Sequence, residues 1–67
     1  MARRREIGDR IRAAMLHANL TQERLAEATG LSRDTIVRVQ LGTADARLSW
    51  LIAIADACGT ELADIVR

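Results

Sequence analysis

The sequence predicts an all-α protein. Three observations carry that expectation: there is no proline, Trp50 is the single aromatic residue, and alanine and leucine recur between short β-branched stretches. Glycines and the polar residues beside them act as punctuation, dividing residues 1–67 into five helical segments with connections of two to five residues. One five-helix bundle, without linker or repeat, is the expected domain.

The first segment places Ile7, Ile11 and Ala14/Met15 at i, i+4 and i+7/i+8, with Arg10, Arg12 and His17 elsewhere around the cylinder. That spacing predicts an amphipathic helix from about Arg4 to Ala18, ended by Asn19 in a left-handed conformation. Thr21 is an N-cap for a short second helix carrying Leu25, Ala26 and Ala28, which Gly30 closes. Ser32 caps a third, with Ile36 and Val39 on one side and Arg33, Asp34, Val37 and Arg38 filling an opposite arc; Gly42 ends it. A polar turn from Thr43 to Ala46 offers Asp45 as a cap. The fourth helix is expected from about Arg47 to Cys58, burying Leu48, Leu51, Ile54/Ala55 and Cys58. Gly59 stops it, and Thr60 caps a last helix from Glu61 to about Val66 with Leu62 and Ile65/Val66 inward.

A chain of 67 residues buries about 60% of the surface its unfolded form exposes, enough for one core. Its 49% hydrophobic and 28% charged residues suit a folded chain. Cys58, the lone cysteine, excludes an internal disulfide framework and cannot build a metal cage alone, so a reducing cytoplasm is the expected location. The basic start has no apolar stretch behind it, and no run reaches the 18 or so apolar residues of a membrane span, so neither secretion nor a membrane is expected. Net charge is +1 overall but unevenly placed: residues 1–47 carry +3 and residues 48–67 carry −2. Such asymmetry fits one face meeting a polyanion. Every cation is an arginine, whose rigid fork suits phosphate and guanine edges, although a genomic composition bias gives the same result.

The informative stretch runs from Leu20 to Gly42. Two short helices meet at a tight Gly30-Leu31 turn, Ala26 is small where the second helix packs, and the second helix presents a polar arc. That geometry is a helix-turn-helix. A helix held clear of the body fits the major groove of B-DNA, about 12 Å wide, where base pairs can be told apart.

From Ile7-Gly8 through LTQERLAEATGLSRDTI to IADACGTELADI, nearly the whole chain resembles the Cro and phage-repressor-like (XRE-like) helix-turn-helix regulators. The spacing of Thr21-Gln22, Leu25-Ala26, Gly30-Leu31-Ser32, Ile36 and Gly42 carries the likeness. The resemblance implies a lambda-repressor-like fold that binds double-stranded DNA as a symmetric homodimer and represses transcription. It implies that Gln22 contacts a phosphate and braces the first recognition side chain, and that Thr21, Ser32 and Thr43 lie near the DNA backbone. Base reading falls to Arg33, Asp34, Val37 and Arg38. Their chemistry agrees: Arg33 can pair with guanine O6 and N7, Asp34 can accept from cytosine N4, and Val37 can touch a thymine methyl. The chain departs from the family pattern in two places. Met15 and Gln40 stand where many members pair an arginine with a glutamate, so an apolar and hydrogen-bonded contact is expected there. Ala46 replaces the usual proline ahead of the fourth helix.

Other residues carry blander readings beside the functional ones. Asp34 and Arg38 form an i, i+4 pair worth only about 0.2 to 0.5 kcal/mol, and Arg38 can serve both that pair and DNA. Arg3, Arg4 and Arg5 read as a frayed, solvated end or, alternatively, as an arm along the DNA backbone or minor groove. His17 reads as a surface residue and Cys58 as core, and no metal or cofactor is expected. Glu6, Asp9, Glu23 and Glu27 sit at helix-pair spacings with basic neighbours, Glu6 with Arg10 for one, and no nucleophile-base set is found, so neither an enzyme nor a small-molecule substrate is expected. Trp50 either anchors an interface or folds over its own core. Trp50, Ile65 and Val66 are the residues assigned to a dimer contact. The rival functions are an antitoxin-like protein that binds a toxin partner, and a helical module that scaffolds other proteins.

Overall fold

Five α-helices follow one another in the computed structural model, which describes residues 2–66 and the side chains of residues 4–66. They are α1 (Ala2–Ala18), α2 (Gln22–Thr29), α3 (Arg33–Leu41), α4 (Leu48–Cys58) and α5 (Leu62–Val66). No strand occurs among the described residues. The ends of α2 and α3 fall where the punctuation put them. Thr21 Oγ1 accepts from the Arg24 amide at 3.1 Å, and Ser32 Oγ accepts from the Thr35 amide at 3.1 Å. Each satisfies one amide left over at a helix start. At the turn between α2 and α3, Gly30 has φ +76° and its amide donates to the Ala26 carbonyl, the single bond of a left-handed cap. Asn19, at φ +62°, ends α1 as expected, with the Leu20 amide reaching back to the Met15 carbonyl.

Ile11, Leu25, Ile36, Ile54 and Ile65 are the large side chains fully withdrawn from water, and Met15, Val39, Leu51, Ala55 and Cys58 complete the core. α1 lies across α3, α4 and α5, while α2 wedges between α3 and α4. This arrangement buries one stripe of α3 and leaves its opposite arc outward. Burial of each large aliphatic side chain contributes about 1.5 to 3 kcal/mol.

Several expectations need correcting. Gly8 lies inside α1, as the expected first helix had it, but a Cβ there would overlap the Gln40 carbonyl oxygen, so only glycine lets α1 meet the end of α3 this closely. α1 begins at Ala2, so Arg4 and Arg5 belong to a helical turn and not to an extended arm. The side chain of Arg3 lies outside the described residues. Asp45 does not cap α4, whose N-cap is Arg47; Asp45 pairs with Arg4 instead. Leu48 is 63% exposed because the half-buried Ala46, packed against the core, already occupies that end of the stripe. Thr60 donates its hydroxyl to Asp64 Oδ2, and α5 starts at Leu62. Ile65 is 1% exposed in the core of its own chain, so its side chain is not available to a second copy.

Candidate nucleic-acid interface

The arc opposite the buried stripe of α3 carries Arg33, Asp34 and Arg38, all exposed, with Val37 half-buried between them. Ile36 and Val39 hold the other side of the helix in the core, so the arc is fixed by burial and not by its own contacts. Asp34 Oδ2 lies 3.7 Å from Arg38 Nε, the expected i, i+4 pair. Both partners are well exposed, so the pair steers the Arg38 side chain more than it stabilises the fold. Glu6 and Arg10 form no such pair among the described residues, where the ion pairs are Arg4–Asp45 and Asp34–Arg38.

The residues flanking the arc are engaged at helix ends, with hydrogen-bonding capacity left over. Thr21 Oγ1 accepts from Arg24, so its own O–H is still available as a donor. Ser32 Oγ caps α3 and shares a hydrogen with Thr35 Oγ1 at 2.8 Å. Thr43 donates to the Arg38 carbonyl at 3.2 Å, closing the end of α3. Backbone amides at the starts of α2 and α3 add positive partial charge there. Gln22, the first residue of α2, is half-buried, and its Nε2 donates to Gln40 Oε1 at 2.6 Å.

Gln40 is the residue whose importance the sequence understated. It is 5% exposed, and its own Nε2 donates to Met15 Sδ at 3.1 Å. The expected apolar and hydrogen-bonded replacement for an ion pair between α1 and α3 is present, and it extends to Gln22. Spacing held a signal for this, because Ile36, Val39 and Gln40 share the i, i+3, i+4 face.

Of the two readings of Trp50, the structure shows the packing over its own core. It packs half-buried against the core, and the Arg47 guanidinium lies 5.6 Å from its ring centre. Leu48 and Ile52 (42% exposed), one helical turn apart, leave apolar surface on α4. Val66 is half-buried at the end of α5. His17 is exposed, and no cluster of metal-ligating side chains occurs among the described residues. Among those residues no helix is long and apolar enough to cross a membrane.

Comparison with known proteins agrees with this geometry. A family model described as a helix-turn-helix domain matches residues 6–66. An uncharacterized helix-turn-helix-type transcriptional regulator of Methanocaldococcus jannaschii is 43% identical over 47 residues, 70% of this chain and 71% of the relative. The crystal structure of the restriction-modification controller protein C.AhdI from Aeromonas hydrophila superposes with a TM-score of 0.92 at 28% identity, covering 97% of this chain and 98% of that one. With a capped two-helix motif, an outward arc on its second helix and a family match over nearly its whole length, the chain belongs to the helix-turn-helix family of DNA-binding transcription regulators.

Proposed function

We propose that the protein is a repressor that binds a near-palindromic operator as a homodimer and blocks transcription by occupying it. The observation that carries the reading is the exposure of Arg33, Asp34 and Arg38 on a helix whose other face is locked in the core. In this reading α3 lies in the major groove, Arg33 reads guanine, Asp34 reads cytosine, Val37 meets a thymine methyl, and Arg38 reaches a base one turn further on. Thr21, Gln22, Ser32 and Thr43 hold the DNA backbone and set the register. Two copies joined through the α4 edge, at Trp50, Leu48 and Ile52 with Val66 nearby, would set their recognition helices roughly 34 Å apart. Apolar exposure at Leu48 and Ile52, one helical turn apart on α4, supports that surface.

Selection of duplexes from a random pool tests the reading. A recovered motif with two inverted half-sites about one helical turn apart is the expected result. Retention of no duplex, or equal retention of all duplexes, contradicts it.

A further inference from the structure

A glutamine buried to 5% at the meeting of α1 and α3 needs partners, because an amide taken from water without them costs stability. Gln40 has two: Met15 Sδ at 3.1 Å and Gln22 Nε2 at 2.6 Å. The chemistry of the sulfur gives this chain a direction. A thioether carries no hydrogen and can only accept, so Gln40 turns its nitrogen toward Met15 and its oxygen toward Gln22. Gln22 must then meet Gln40 with its nitrogen. Reversing both amides would set the Gln40 oxygen against the sulfur with no hydrogen between them. One N–H and the carbonyl oxygen of Gln22 remain, at the first residue of α2 and beside the Thr21 cap.

We propose that Met15 and Gln40 are positioning residues for DNA binding: they fix the rotation of the Gln22 amide before DNA arrives, so that its second N–H is offered to a phosphate. This rests on the reading of α2 and α3 as the DNA-binding face. Holding Gln22 in advance removes the cost of ordering a flexible side chain on binding, which corresponds to about three- to tenfold in affinity. Gln40 never touches DNA, and its effect passes through Gln22.

Two measurements on the full chain test this. Gln22 and Gln40 are the only glutamines, so glutamine-selective ¹⁵N labelling yields two side-chain amide groups. In the free protein Gln22 is expected to show one protected amide proton, which Gln40→Leu returns to the position of an exposed glutamine; Gln40→Glu, which still accepts, keeps it. The second measurement is affinity for the duplex selected by the unaltered chain. Gln40→Leu is expected to weaken binding about three- to tenfold when Gln22 is present and to have no further effect in Gln22→Ala. Should Gln40→Leu lose its fold by circular dichroism, Met15→Leu, which keeps the volume and removes the acceptor, takes its place in the cycle. Equal losses in both backgrounds, or a Gln22 amide indifferent to residue 40, overturn the proposal. Failure of the unaltered chain to hold any duplex is a separate result and removes the DNA-binding reading beneath it.

Discussion

Arg33 is exposed at the first turn of α3, where its fork can reach two acceptors of one guanine, whereas Gln22 is tied to the protein through one amide hydrogen. The two substitutions should therefore fail differently. Arg33→Ala is expected to cost about 1 to 3 kcal/mol on the preferred duplex and to relax one base position, read by competition with singly altered duplexes. Gln22→Ala should weaken binding to every duplex alike. Cys58 offers a residue-scale test of the core. Burial pushes its thiol up from 9.0, so folding holds the proton more tightly than the unfolded chain does. Stability from this group is full below pH 9 and is lost as pH rises through the higher folded value. The chain has no lysine or tyrosine, so Cys58 is the side chain that titrates in this range. Urea melts from neutral to alkaline pH should show unfolding free energy declining above that point, and Cys58→Ala should flatten the decline. Residue types announced the exposed polar arc and the family pattern pointed to a Met15–Gln40 contact, but the further link from Gln40 to Gln22 became visible only once α1, α2 and α3 were packed.

Helix ends were legible because their chemistry is local. Thr21, Ser32, Asn19 and Gly30 each do with their own neighbours what their residue types favour. Contacts between elements were not. Gly8 sits within the predicted first helix, yet it serves an approach of two helices that no local pattern encodes. Leu48 fitted the buried period of α4 but lies where Ala46 already closes the core. Two element-scale outcomes follow. Gly8→Ala should push α1 off the end of α3 and lower stability by about 1 to 3 kcal/mol in thermal or denaturant melts, despite alanine's better helix propensity. Ser32→Ala removes the α3 cap and should cost about 1 kcal/mol, with hydrogen exchange rising first in the opening turn of α3.

At the scale of the whole molecule, the core fixes α3 by its inner face and leaves apolar surface exposed on α4, at Leu48 and Ile52. Trp50→Ala combined with Ile52→Ser should shift sedimentation toward the monomer and weaken binding to a two-half-site duplex far more than to a single half-site. Which apolar residues stay exposed was hard to read from the sequence, because Ile65 and Val66 share one inward pattern although only Ile65 is fully buried. The central claim, that the outward arc of α3 enters the major groove, is tested most directly by methylation interference at guanine N7, an atom on the major-groove edge. One guanine in each half-site of the selected duplex should block the unaltered chain when methylated and make no difference to Arg33→Ala. Binding indifferent to N7 methylation in both proteins would contradict the account.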